Sequence, residues 1–216
     1  MDAPEDKPSA APILLATGNG DKQRVFRSLL DGLPLTPVTP AESGISASPQ
    51  EDGDTHEAIA REKAVKWSEA GSMLAIASDG GLVIPALAPA WESRHTHRFA
   101  GPAVNDSQRV DGLLKLMEPF TGTDRSASWA EAVAIAHNGR LLASWELLGA
   151  CGEIAQTRKS GPVPEFWAFT VWTFTRYGKT YDELTPGERE SLNDHWARLG
   201  QLVRRFFRSI FVPPMV

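Results

Sequence analysis

Residues 11–30 read A-P-I-L-L-A-T-G-N-G-D-K-Q-R-V-F-R-S-L-L, and two changes of pattern inside this stretch set the fold. Ile13, Leu14, Leu15 and Ala16 form the short apolar run of a buried strand. Thr17-Gly18-Asn19-Gly20-Asp21 is then a cluster of turn residues. From Lys22 onward Val25, Phe26, Leu29 and Leu30 recur at helical spacing. A strand, a Gly-rich turn and a helix start aim backbone N–H groups and a positive dipole end at an anion. Lys22, in the first turn, adds a point charge suited to phosphate. The spacing is neither that of a P-loop nor G-x-G-x-x-G. Taken alone, the turn fits an ordinary first β–α connection as well as it fits a phosphate cradle.

The rest of the chain narrows the choice. With 216 residues, 42% of them apolar and 23% charged, it has the length and composition of a globular protein with one sizeable core. A net charge of -5 gives no bulk attraction to nucleic acid or to an anionic membrane surface, so any phosphate site must be local. The single cysteine, Cys151, excludes an intrachain disulfide and a Cys-rich zinc site, and fits a cytoplasmic setting. No apolar run reaches the length of a membrane span. Residues 1–11 read as a disordered lead-in, and residues 12–210 as one α/β domain with a long mixed sheet.

Along the chain, residues 31–49 hold four prolines and fit a long loop with a short strand at 35–38. Asp54 and Glu57 have capping-box spacing at the start of a helix that runs to Gly71. Residues 73–77 form a second apolar strand ending at a Ser78-Asp79-Gly80-Gly81 turn, and 82–87 resume as an edge segment around Pro85. Residues 88–101 read as a loop and 105–117 as an amphipathic helix. Asn138-Gly139 between two apolar runs predicts a hairpin. The aromatic run F-W-A-F-T-V-W-T-F-T at 166–175 reads as a central strand. Thr185-Pro186 opens one last helix through Phe206, whose arginines 204, 205 and 208 match its C-terminal dipole.

Five stretches in order resemble the inosine/xanthosine triphosphate pyrophosphatase family. They are L-L-A-T-G-N-G-D-K, A-I-A-R-E-K-A, A-I-A-S-D-G-G-L, H-R-F-A-G and G-K-T-Y-D-E-L-T-P-G-E-R. The resemblance implies an elongated mixed β-sheet flanked by helices, with two lobes and a central cleft, in a homodimer. It also implies a Mg²⁺-dependent hydrolase that cuts purine nucleoside triphosphates to monophosphate and pyrophosphate. By the same resemblance Thr17, Asn19, Lys22, Lys63 and Arg189 handle phosphate. Asp79 becomes the base that activates water and a metal ligand, with Lys22 beside it in catalysis. His195 stands at a base-reading arginine position, and Trp167 is a candidate for base stacking.

The departures fall on functional positions. Ala58 occupies the place of a metal-binding glutamate, with Glu57 and Glu62 as the nearest carboxylates. Ser78 replaces the first of two aspartates. Phe166-Trp167-Ala168-Phe169-Thr170 and Asn193-Asp194-His195 replace the motifs that read the purine. His56, His95, His97 and His137 show no metal spacing with acidic partners. The chain is therefore expected to be a divergent pyrophosphatase for a non-standard or modified purine nucleotide. The alternatives are a nucleotide-binding protein that has lost hydrolysis, and an enzyme acting on a related phosphorylated nucleoside.

Overall fold

The computed structural model describes residues 10–161, 163, 166–192 and 194–211. Most of the expected lead-in lies outside this set, but Ala11 already belongs to the first strand. The elements are strands β1 (Ala11–Leu15), β2 (Leu35–Val38), β3 (Leu74–Val83), β4 (Ser126–His137), β5 (Arg140–Ile154), β6 (Trp172–Phe174) and β7 (Lys179–Thr180). The helices are α1 (Gly20–Leu30), α2 (Pro40–Ser43), α3 (His56–Gly71), α4 (Asp106–Leu116), α5 (Pro186–Ser191) and α6 (His195–Phe211).

All seven strands form one mixed sheet in the order β2-β1-β3-β4-β5-β6-β7. β1 runs parallel to both β2 and β3, and every later pairing is antiparallel. The pairing that matters most for function is between β1 and β3. It ends at Leu15↔Ile76, with one further bond from Ala16 N to Ile76 O, whereas β3 continues to Val83 against β4. Beyond Ile76, β3 therefore has a neighbour on one side only. This is a crevice at the carboxyl end of parallel strands, where the chain changes direction in the sheet.

Three cores hold the layers together. On one face Ala60 and Ala64 of α3 pack on Leu14, Ala75, Ala77, Ala132, Ala134 and Ala136, and these small side chains seat the helix close to the sheet. On the other face Phe26, Leu29 and Leu30 of α1 and Leu199, Val203 and Phe207 of α6 cover Ile13, Leu15, Ile76, Val133 and Ile135. A third, aromatic core gathers Trp129, Trp167, Phe169, Trp172 and Tyr181 with Val110 and Leu113 of α4. The hairpin turn has Asn138 and Gly139 at φ 50° and 75°, as its sequence requires.

Four local expectations are corrected. Ser78–Gly81 is not a turn but the middle of β3. Gly80 and Gly81 are there for space, since an added Cβ would lie 2.0 Å from Glu131 Oε2 at Gly80 and 1.8 Å from the Ser93 carbonyl at Gly81. The aromatic run at 166–175 is a 3₁₀ turn, Trp167–Thr170, followed by the short β6. Side chains three apart eclipse in such a turn, and Phe166 stacks on Phe169 with centroids 4.8 Å apart. The last helix is two, because Asp194 breaks it and accepts from Trp196 N to start α6. Finally, Thr55 rather than Asp54 caps α3 through Ala58 N, which leaves Glu57 out of any capping box.

Candidate active site

The crevice beside β3 is a cleft of about 420 Å³, within the usual range for small-molecule sites. Its floor is the turn after β1. Thr17 Oγ1 accepts from Asn19 N at 3.1 Å, Gln23 Nε2 donates to Thr17 O at 2.9 Å, and Asn19 Oδ1 caps α1 by accepting from Lys22 N at 2.8 Å. The side chains of Thr17 and Asn19 thus fix the shape of the turn. The charge comes from Lys22, whose ammonium reaches Glu131 Oε1 at 3.3 Å and Ser78 O at 3.5 Å. Glu131 is fully buried, and its Oε2 accepts from Trp129 Nε1 at 2.7 Å.

The facing wall is built by α3 and β3. Residues 56, 60 and 63 share one side of α3. From that side Lys63 Nζ meets Asp79 Oδ1 at 3.2 Å and Glu51 Oε1 at 2.8 Å. His56 Nδ1 stands 2.6 Å from Asp79 Oδ2, and its Nε2 stands 3.0 Å from Ser93 Oγ. Burial pushes the Asp79 carboxyl up, but the hydrogen bond from His56 and the charges of Lys63 and Lys22 outweigh it and hold Asp79 below the usual range. Burial likewise pushes Lys63 down, and Asp79 and Glu51 together lift it above the usual lysine value.

A third wall is the 3₁₀ turn Ser93–Arg98, which presents Arg94, His97 and Arg98 to the cleft. Thr96 pins this turn to the sheet by accepting from Leu82 N at 2.9 Å and donating to Ser93 O at 2.7 Å. Arg98 Nη2 bonds Glu51 Oε2 at 2.5 Å. The far wall is aromatic, made by Trp129, Phe166 and Trp167.

Thr17, Asn19, Lys22, Lys63, Asp79 and Trp167 therefore meet at one cleft. Trp167 is nearly fully buried and stacks on Phe99 at 6.3 Å, so it is a wall rather than a free stacking platform. Two of the expected residues lie elsewhere. Arg189 lines a second cavity of about 650 Å³, with its guanidinium over the Tyr181 ring at 4.7 Å and Nη2 donating to Tyr181 O at 3.2 Å. His195 is 0% exposed and caged by the rings of Trp129, Trp172 and Tyr181, so it does not reach the cleft to read a base. Asn193 lies outside the described residues.

His56 and Glu131 were missed as site residues. The first had a legible signal, since it lies two turns before Lys63 on the same side of α3. The second shows as a lone charge in the apolar run of β4.

The donor set does not fit the Mg²⁺ ion that the resemblance implies. Glu57 Oε1 is held by Ser144 Oγ at 2.7 Å and Arg61 Nη2 at 2.6 Å, and Glu62 Oε1 by Gln50 N at 2.9 Å. Neither takes the place left by Ala58. Among the described residues no three His, Cys, Asp or Glu side chains gather as a metal site. Among the same residues no helix is long and apolar enough to cross a membrane.

The chain resembles known proteins along most of its length. A dITP/XTP pyrophosphatase of Desulfotalea psychrophila is 29% identical over 191 residues, covering 88% of this chain and 82% of its own. One from Synechococcus is 34% identical over 179 residues, covering 82% and 81%. A Ham1 protein from Coxiella burnetii has the same fold, with a TM-score of 0.73 at 25% identity over 90% of this chain and 99% of that one. A nucleoside-triphosphatase or dITP/XTP pyrophosphatase from Mycobacterium abscessus superposes with a TM-score of 0.66 at 22% identity, covering 94% and 100%. The sequence model of the Ham1 family matches residues 13–203, and the chain belongs to that family.

Proposed function

We propose that the cleft binds a purine nucleoside triphosphate and hydrolyses it to the monophosphate and pyrophosphate. The observation that carries this is the convergence of Lys22, Lys63 and Asp79, from three separate elements, on one cleft at the open edge of β3. The names of the relatives support the same reaction class. Lys22, Lys63 and Arg98 would hold the phosphates. Asp79, kept ionised and aimed by His56, would orient a water molecule and take its proton as the water oxygen bonds to the α-phosphorus. The bond from that phosphorus to the bridging oxygen breaks, and pyrophosphate leaves with the electron pair.

The base preference should differ from inosine and xanthosine, because His195, at the base-reading position, is buried away from the cleft. A non-standard or modified purine is the substrate we assign. A homodimer is carried with this reading on the resemblance alone, and a cytoplasmic setting on the single cysteine, Cys151.

The second reading, a nucleotide-binding protein without hydrolysis, is favoured by one observation: the carboxylates of the site are already bonded to protein cations. A sweep of standard, deaminated and modified nucleotides, scored by pyrophosphate release with and without Mg²⁺, separates the two. Asp79→Asn should lower turnover by about 10²-fold or more while nucleotide binding persists. Absence of turnover with every nucleotide, alongside nucleotide-dependent thermal stabilisation, would establish the second reading instead.

A further inference from the structure

The departure from a metal site is systematic. Three carboxylates stand in or under the cleft, and each of their six oxygens is within reach of a nitrogen of the protein. Asp79 Oδ1 faces Lys63 and Oδ2 faces His56, at 3.2 and 2.6 Å. Glu51 Oε1 faces Lys63 and Oε2 faces Arg98, at 2.8 and 2.5 Å. Glu131 Oε1 faces Lys22 and Oε2 faces Trp129 Nε1, at 3.3 and 2.7 Å. A Mg²⁺ ion needs oxygens at about 2 Å in near-octahedral array. Here the charges of Lys22, Lys63 and Arg98 already sit against these carboxylates and would repel a second cation. Among the described residues no three carboxylate or imidazole groups gather around one point.

The same groups are well disposed toward an anion. Four cations, Lys22, Lys63, Arg94 and Arg98, line the cleft against three carboxylates, Glu51 and Asp79 on its walls and Glu131 beneath Lys22. An ammonium has three donors; Lys63 uses two, on Glu51 and Asp79, and Lys22 uses two, on Glu131 and Ser78 O, so each keeps one for the cleft. Ser78, at the place of the expected first aspartate, adds an independent sign. The residue is 3% exposed on the cleft wall, and its Oγ has no hydrogen-bond partner among the described residues. A buried hydroxyl left without a partner is a donor awaiting an acceptor.

Building on the proposed nucleotide site, we infer that this chain neutralises the polyphosphate with its own cations and Ser78, and binds it as the metal-free anion. The carboxylates then serve to aim the cations rather than to hold a metal ion.

Calorimetric titration with the non-hydrolysable α,β-methylene analogue of dITP tests this, once in excess Mg²⁺ and once in EDTA. The dissociation constant should agree within about threefold between the two, and Lys63→Met should weaken it about tenfold or more in both. Should Lys63→Met fail to fold, Arg98→Gln on the exposed turn should weaken binding in EDTA by about threefold or more. Binding about tenfold or more tighter in Mg²⁺, or unchanged by Arg98→Gln in EDTA, would overturn the inference and leave the pyrophosphatase reading standing. Absence of binding in either buffer, with this analogue and with the corresponding analogues of the standard purine triphosphates, would overturn both.

Discussion

Glu131→Gln separates the two possible uses of the buried carboxylate, because it should lower stability and raise anion affinity together. Glu131 is fully buried and meets Lys22 at 3.3 Å. With an effective dielectric of about 20, that separation corresponds to a gross attraction of about 5 kcal/mol. Much of it offsets the cost of taking the carboxylate out of water, a cost that glutamine does not carry. Glutamine also keeps the shape and can accept from Trp129 Nε1. The Lys22 side chain is 13% exposed, so its charge can turn to the cleft and to solvent instead of remaining stranded. The net loss of stability should therefore be about 1–3 kcal/mol, below the full cost of an orphaned buried charge.

The binding effect has the opposite sign. Lys22 would then face a phosphate with no carboxylate behind it, a gain of about 1 kcal/mol or roughly fivefold in affinity. Urea unfolding followed by tryptophan fluorescence gives the first quantity, and titration with the methylene analogue gives the second. Unchanged stability together with weaker binding in Mg²⁺ would refute the reasoning, because it would mean that Glu131 serves a cation brought in with the nucleotide.

The remaining predictions address the walls of the cleft and the aromatic core. Gly81→Ala places a Cβ 1.8 Å from the Ser93 carbonyl, so the turn bearing Arg94 and Arg98 must shift; the expected outcome is a loss of about 1–3 kcal/mol and a raised KM. Gly18→Ala, with nothing within 4 Å of its Cβ, should leave unfolding within about 0.5 kcal/mol of the parent and serves as its control. His56→Phe removes the group that aims Asp79 Oδ2, so kcat should fall about tenfold or more with KM little changed, as steady-state kinetics would show. Tyr181 is raised well above its usual pKa, first by burial and then by Asp194, whose Oδ1 accepts its hydroxyl proton at 2.6 Å. Its folded value exceeds the unfolded one, so its contribution is complete below about pH 10 and is lost as pH rises beyond it, at up to about 1.4 kcal/mol per pH unit. Urea midpoints measured from pH 8 to 11 should fall less steeply for Tyr181→Phe than for the parent.

Local pattern revealed the elements whose structure is locally determined. The β1–turn–α1 unit, α3, α4 and the Asn138-Gly139 hairpin each carry their own period, cap or turn residues, and they form where those signals stand. The segments that were misread are those whose conformation depends on a distant neighbour. Gly80 and Gly81 look like turn residues, but they clear the way for Glu131 and for the Ser93 carbonyl, which arrive from β4 and from the loop after β3. The aromatic alternation at 166–175 has the period of a strand, yet ring stacking inside the third core favours a 3₁₀ turn. Asp194 reads as one more helical residue until Tyr181 and the backbone of Trp196 both claim its carboxylate.

The site divides along the same line. Lys22 could be singled out from the turn and helix start around it, and Lys63 and Asp79 from the short stretches that carry the family resemblance. Glu131 stands out in the sequence as a lone charge, but its partner could not be read, because only the register Gly80↔Glu131 brings it beneath Lys22. The early end of β1 ties these groups together. It leaves the edge of β3 open and lets the start of α1 meet the cleft at Asn19 and Lys22, while α3 begins at His56 against Asp79. The N-terminus of α1, with its partial positive charge, then opens on the cavity that the lysines and arginines line. Backbone and side chains favour the same sign of guest, and an anion can be held there even though the carboxylate positions expected to bind a metal have been rewritten.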